Sequence, residues 1–160
     1  MPDGYASAER VLDAYGDAIF RLAYSYLHNR SDAEDVLQDT LVQYLDKRPD
    51  FESPAHEKAW LLRVAINQSK NQLAAPWRRR WEALDEEHPV FDETGSAVME
   101  AVESLPVKYR EVVHLFYLEG YSTAEIAALL DRGETAVRTQ LSRAREKLRK
   151  TLKEAYDFGE

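Results

Sequence analysis

The 160-residue chain contains no cysteine. That excludes a disulfide framework, a CxxC redox centre and a thiolate zinc site, and it fits a reducing compartment. Long apolar runs are missing too, with only a few residues in the longest, whereas a bilayer-spanning helix needs ~20. The first ten residues include Asp3 and Glu9 and lack the apolar core of a signal peptide. The four histidines, His28, His56, His88 and His114, are scattered, and no two share the spacing that places a pair of metal ligands on one helical face. GxGxxG, GxxxxGK[ST] and GxSxG sequences are absent. Alternating β-branched runs bounded by turns, the mark of strands, are also missing. No catalytic residue, metal site or cofactor is therefore expected, and the chain does not read as an enzyme.

What remains is an ordinary globular composition, 44% hydrophobic and 31% charged, long enough for one domain or two small ones. The simplest reading is a soluble cytoplasmic protein. Net charge is −8, which by itself opposes a nucleic-acid partner. The distribution of charge points the other way. Residues 51–81 hold six bases and two acids, and 132–153 hold eight bases and two acids. Between them, 82–104 holds eight acids and no base. Two basic islands separated by an acidic strip are not the pattern of a uniformly acidic enzyme.

The periodicity is helical throughout. Val11, Leu12, Tyr15, Ile19, Leu22, Ala23, Tyr26 and Leu27 recur at spacings of three and four, so a first amphipathic helix is expected to stop near His28–Arg30. Ser31 and Glu34 have capping-box spacing before Val36, Leu37, Leu41, Tyr44 and Leu45, with Pro49 as the stop. A loop at Pro49–Pro54 precedes a third helix from about Ala55 to Pro76. The acidic stretch from Glu82 to Thr94, without a helical stripe, reads as a linker. Beyond it, helices are expected from about Ser96, over Val107–Leu118 with Pro106 in its first turn and Val112, Val113, Leu115 and Phe116 buried, and over Thr123–Leu130 behind a Ser122–Glu125 capping box. A last helix runs from Glu134 to about Tyr156. The fold class is all-α, with two small helical domains over 1–81 and 98–160 joined by an acidic linker over 82–97.

Two helices separated by Asp131-Arg132-Gly133, the second of them basic, form a helix-turn-helix pattern. If Val137, Leu141, Ala144 and Leu148 face the core, the opposite face presents Thr135, Arg138, Thr139, Ser142 and Arg143, donors suited to base edges and phosphates. Arg145, Lys147, Arg149, Lys150 and Lys153 continue the stripe where phosphate would run. An ordinary helical hairpin with a solvated basic half fits the same pattern. In the first domain, Asn67, Lys70 and Asn71 lead to Trp77-Arg78-Arg79-Arg80-Trp81, where aromatic and guanidinium groups interleave as stacking on unpaired bases requires. Trp60, amid Leu61, Leu62 and Val64, reads as core; Trp77 and Trp81 fit either packing or stacking. Asp32, Glu34, Asp35, Gln38 and Asp39 form an acidic, hydrogen-bonding face suited to a basic helical partner, and equally to plain solvation.

Three motif groups together resemble the extracytoplasmic-function group of bacterial sigma factors. Tyr15-Gly16-Asp17, Ile19 to Tyr26 and Ser31 to Thr40 look like that family's core-binding region. Ala59-Trp60-Leu61-Leu62-Arg63-Val64-Ala65-Ile66-Asn67 looks like its promoter-melting region. Leu105-Pro106, Arg110-Glu111-Val112, Glu119-Gly120-Tyr121-Ser122, Glu125-Ile126-Ala127 and Leu141 to Leu148 look like its second DNA-binding domain. The resemblance covers about 9–80 and 98–153, in the family's order. It implies that Asp32, Glu34, Asp35, Gln38 and Asp39 dock on the β′ clamp coiled coil of core RNA polymerase. It further implies that the loop Phe51–Lys58 and Asn67 hold a base flipped from the promoter −10 element, with Lys70, Asn71, Arg78, Arg79 and Arg80 contributing to that contact. The C-terminal domain would read the −35 element through Thr135, Arg138, Thr139, Ser142 and Arg143, with the β flap and an anti-sigma factor as further partners. At the turn the chain departs from the family: Asp131, Arg132 and Gly133 stand where Gly, an aliphatic residue and a capping Ser or Thr are usual. Gln140 stands where Arg is common.

Two other classes fit the same sequence. A free-standing helix-turn-helix regulator would bind duplex DNA tightly without polymerase, against which the acidic linker and net charge count. An all-helical adaptor would be indifferent to removal of Arg138 and Arg143.

Overall fold

The computed structural model describes residues 4–75 and 96–156, and the chain forms two compact units that divide between Glu86 and Glu87. Among the described residues every regular element is helical, and no helix is long and apolar enough to cross a membrane. The segment Trp77–Trp81 and the acidic stretch Glu82–Thr94 lie outside the described residues.

The first unit is three helices, α1 (Gly4–Leu27), α2 (Arg30–Lys47) and α3 (Pro54–Ala74), each packed on the other two. The expected α1 stripe is buried at Val11, Ile19, Leu22, Ala23, Tyr26 and Leu27. Leu12 departs from it: the side chain is exposed and lies over Gly16, whose missing Cβ would come within 3.0 Å of Leu12 Cδ1. His28 takes a left-handed conformation (φ 51°) that ends α1. Asn29, not Ser31, then caps α2. Its extended backbone lets the side-chain oxygen accept the Asp32 N–H at 2.9 Å, two residues earlier than the Ser31–Glu34 spacing predicts. At the far end Arg48 is left-handed (φ 43°), one residue before Pro49 would have forced the stop. Ser53 accepts from the His56 N–H and Pro54 opens the first turn of α3, so Pro54–Lys58 is helix rather than part of a loop.

One polar cluster ties the three helices together. The Arg10 guanidinium of α1 grips both carboxylate oxygens of Glu57 in α3, at 3.0 and 2.7 Å, and donates at 3.0 Å to the Tyr44 hydroxyl of α2. Tyr44 in turn donates to Glu57 at 3.3 Å. The Glu57 side chain is 9% exposed, so its charge needs this answer. Hydrogen bonding to Arg10 holds the Glu57 carboxyl below its ordinary range, outweighing the effect of burial. Beside the cluster, Phe51 stacks on Tyr44 and meets His56 and Trp60 edge-on.

The second unit comprises α4 (Ser96–Glu103), α5 (Val107–Val113), a π-helical turn (His114–Leu118), α6 (Thr123–Leu130) and α7 (Glu134–Tyr156). Helix α7 packs on α4, α5 and α6. Its buried Val137, Leu141 and Ala144 join Ala101, Leu105, Val112, Leu115 and Ile126 in one core. Buried Arg110 closes the end of α4 by donating to the carbonyls of Leu105 at 2.9 Å and Glu103 at 3.3 Å. The stretch Val107–Leu118 is not one α-helix. The ladder widens after Val113, the Glu119 N–H reaching the His114 carbonyl five residues back. This turn leaves Phe116 half-buried instead of buried, exposes Tyr117 and Leu118, and ends at Gly120, whose φ of 75° suits a residue without Cβ. Pro106 is the N-cap of α5 rather than a residue of its first turn. The Ser122–Glu125 capping box is present in both directions, 3.1 Å from the Glu125 N–H to Ser122 Oγ and 2.9 Å from the Ser122 N–H to Glu125 Oε1. The Ser122 backbone N–H, donating to the Glu125 carboxylate, holds its pKa below the ordinary value.

Replacing Glu57 with Gln is expected to destabilise the first unit by about 1.5–3 kcal/mol at pH 7, the range for hydrogen bonds to charged groups. Because the folded Glu57 titrates below its unfolded value, its contribution is complete above about pH 4.3 and is lost as pH falls through the folded value. Urea melts of both proteins at pH 7 and at descending pH check this. The gap between them closes in acid; a gap independent of pH would contradict the assignment.

Candidate nucleic-acid and polymerase interfaces

In the second unit the helix-turn-helix is built as its sequence indicates. Helix α6 ends at Asp131, left-handed at φ 55°, and the Gly133 carbonyl accepts the Val137 N–H to start α7. With Val137, Leu141 and Ala144 buried and Leu148 half-buried, Thr135, Arg138, Thr139, Ser142 and Arg143 are all exposed along the other side. The structure thus brings together all five residues singled out for base and phosphate contact. Two hydroxyl-bearing threonines, a serine and two guanidinium forks on one helix present donors over three turns, with acceptor capacity at the hydroxyls.

This face is preset by its neighbours. Glu134, in the first turn of α7, accepts from Thr123 Oγ1 at 2.9 Å and from Arg138 Nη2 at 2.7 Å. Arg138 thus has an i,i+4 partner along its own helix while its side chain stays exposed. Behind the face, turn residue Arg132 pairs through Nη2 with Glu111 of α5 and through Nη1 with Gln140 of α7, the latter at 2.9 Å. The Glu111 carboxylate is 1% exposed. Two of the departures from the family pattern, Arg132 and Gln140, are in contact with each other.

The basic stripe beyond Arg143 is less uniform than its sequence suggests. Arg145 donates to the Tyr117 hydroxyl at 2.6 Å and lies over the Phe116 and Tyr117 rings, and Lys147 stands over Tyr109. These two cations pack on aromatic rings of the unit from opposite edges of α7. Arg149 pairs with Glu146 along the helix, while Arg149, Lys150 and Lys153 are exposed.

In the first unit, α2 buries Ala33, Val36 and Thr40 and turns Glu34, Asp35, Gln38 and Asp39 outward, with Asp32 half-buried. Glu34 also faces Arg30 one turn earlier, at 3.7 Å. Val42, an apolar residue that the charge pattern of α2 does not single out, is 63% exposed. Its position four residues after Gln38 and seven after Asp35 continues the acidic face. An apolar knob beside carboxylates suits a cationic, amphipathic partner helix better than charge alone does.

On α3, Asn67 and Asn71 are exposed, Lys70 and Lys58 half-buried. Arg63, one turn before Asn67, is also exposed and extends that face; its spacing of four from Asn67 is the signal that marks it. Of the stretch Phe51–Lys58, the residues from Pro54 onward belong to α3, as does Asn67. Phe51 belongs to the segment before α3, its ring occupied by Tyr44, His56 and Trp60, while Asn67 lies three turns along the helix. Trp60 is half-buried in that aromatic cluster, consistent with packing. Arg78, Arg79 and Arg80 lie outside the described residues. Among the described residues no three His, Asp or Glu side chains come together as a metal site would require.

Comparison with known proteins places each unit. Residues 11–79 match the family model for sigma-70 region 2, and 96–148 match that for sigma-70, region 4. The ECF RNA polymerase sigma factor SigE of Mycolicibacterium smegmatis is 30% identical over 159 residues, covering 91% of this chain and 62% of its own length. SigM of Mycobacterium tuberculosis, also an ECF RNA polymerase sigma factor, is 30% identical over 149 residues, covering 85% of this chain and 76% of the relative. The chain thus spans about three-fifths of the first relative and three-quarters of the second. Among solved structures, the sigma factor RpoE in complex with the anti-sigma factor NepR from Bartonella quintana superposes with a TM-score of 0.72 at 26% identity, over 91% of this chain and 96% of that one. A three-helix unit with an acidic α2, a helix-turn-helix unit with a donor-rich α7, and matches over both units in the same order lead to one assignment: the chain belongs to the ECF RNA polymerase sigma factors.

Proposed function

We propose that the two units divide promoter recognition between an unpaired strand and a duplex. The protein binds core RNA polymerase and directs promoter-specific initiation. In this reading the unit over 1–81 docks on the β′ clamp coiled coil through Asp32, Glu34, Asp35, Gln38 and Asp39 beside Val42. Its α3 meets the −10 element with Asn67, Lys70 and Asn71, supported by Phe51, Lys58 and the arginines at 78–80. The unit over 98–160 enters the −35 major groove with Thr135, Arg138, Thr139, Ser142 and Arg143, and the β flap receives its flank. Residues 82–95 join the two as a linker, since Ser96 and Ala97 open α4. The observation that carries the proposal is the exposed donor face of α7 directly opposite Val137, Leu141 and Ala144. A cytoplasmic location follows from the polymerase partner, and an anti-sigma protein, as bound to RpoE, is the natural restraint.

Net charge and the acidic strip at 82–104 oppose approach of the free chain to DNA, which makes polymerase the source of productive binding. An isolated regulator has no comparable use for an exposed Val42 beside a row of carboxylates.

Asp35 and Gln38 are exposed on one face of α2, so replacing both with Lys is expected to abolish assembly with core polymerase without loss of helix content. Co-elution and circular dichroism check this; a double variant that assembles normally would contradict the docking face.

The two DNA contacts separate by mutation. Asn67→Ala is expected to relax preference at one −10 position by about 1–3 kcal/mol and slow promoter opening, leaving −35 preference intact. Arg138→Ala is expected to weaken −35 binding. Relaxed base choice would mark a guanine contact, and a reduced salt slope a phosphate contact. Transcription from libraries randomised separately at each element distinguishes them, and wild-type −10 preference in Asn67→Ala would rule out the assigned contact.

A further inference from the structure

We propose that Arg132, in the turn of the helix-turn-helix, is a positioning residue that sets how α7 is presented to the −35 duplex, acting as one unit with Glu111 and Gln140. The inference rests on the reading that α7 enters that duplex. Its ground is the division of one guanidinium between two helices. Nη2 pairs with the Glu111 carboxylate on α5, and Nη1 donates to Gln140 Oε1 on α7 at 2.9 Å. The Arg132 backbone N–H meanwhile bonds the Ala127 carbonyl of α6 at 2.9 Å. A single residue thus fastens the end of α6, the buried face of α5 and the second turn of α7.

Position 140 lies between Thr139 and Leu141, so its amide sits where the donor face meets the core. Any rotation of α7 about its axis would carry Gln140 away from Arg132 and swing Arg138, Thr139 and Ser142 with it. On the other flank of the turn, Thr123 holds Glu134, and Glu134 holds Arg138. The turn itself has Gly133 as its cap, a residue that supplies no side-chain acceptor. Arg132 compensates for that missing side-chain restraint.

Arg132 also neutralises a carboxylate that is 1% exposed, which any cation of suitable reach would do. The two roles differ in what they require. Neutralisation needs a charge; positioning needs a planar fork whose separate nitrogens reach two acceptors at once. Lysine supplies the first without the second.

Holoenzymes carrying wild-type chain, Arg132→Lys and Gln140→Ala are compared on promoter libraries randomised separately at the −35 and −10 elements, with thermal melts of each chain alongside. Expected for both variants is −35 discrimination reduced at least about fivefold, the low end of what one base contact supplies, with unchanged −10 preference and core assembly. Arg132→Lys is expected to melt close to wild type, because Glu111 keeps a cation. If both variants discriminate at −35 as wild type does, the positioning role is overturned. It is equally overturned if Arg132→Lys loses melting temperature and discrimination together while Gln140→Ala keeps both, since Arg132 would then act through its pairing with Glu111 alone and not by positioning α7 through Gln140. A wild-type holoenzyme without −35 preference would instead remove the reading of α7 on which the inference stands.

Discussion

A helix that commits one side to a core has no freedom about what it shows on the other. That constraint governs both units. Burying Val137, Leu141 and Ala144 leaves Thr135, Arg138, Thr139, Ser142 and Arg143 facing out, and burying Ala33, Val36 and Thr40 leaves the carboxylates of α2 facing out. The apolar positions therefore determine the binding surfaces as much as the polar ones do. If α7 meets DNA as proposed, a substitution in the core of the second unit would disturb recognition without touching DNA, because it changes the rotation at which the donor face is held.

Apolar packing fixes which side of a helix is buried but tolerates small rotations and slides; polar contacts with defined geometry remove that slack. Each unit has such a contact, made by arginine to a sequestered carboxylate. In the first, Arg10 grips Glu57 with Tyr44 as the third member, locking α1, α2 and α3. In the second, Arg132 meets Glu111 with Gln140 as the third member, locking α5, α6 and α7. Both join elements distant in sequence, and both lie next to surfaces assigned to binding. The Arg10–Glu57 contact stands beside Phe51 and the start of α3; the Arg132–Glu111 contact stands behind the recognition face.

The class of fold and the faces of the helices were legible in the sequence, because both follow from local periodicity. Val11 to Leu27 marks a helix by spacing alone, and Ser122 with Glu125 marks a start that the structure reproduces bond for bond. Sequence and structure part where two local signals compete. Asn29 and Ser31 both offer an oxygen two residues apart, and the side chain with extended backbone won. The π turn at His114–Leu118 has no signal in the residue spacing, which continues the helical pattern of Val112 and Val113. Tertiary pairings were the least legible. Nothing in the spacing of Arg10 and Glu57, or of Glu111 and Arg132, indicates contact across 47 or 21 residues. The roles of single site residues came from resemblance to a family, and the geometry supports their exposure: it holds for Asn67 and Asn71, and Phe51 is instead engaged with its aromatic neighbours.

Specificity, on this account, belongs to the complex with polymerase and not to this chain alone. Transcription by purified core polymerase on a promoter library, with and without the protein, alongside duplex binding by the free protein at physiological salt, tests that most directly. The expected result is defined start sites only when both are present, sharing one −35 and one −10 sequence, with weak binding by the free chain. Nanomolar, sequence-specific binding by the free chain together with no change in initiation by core polymerase would contradict it.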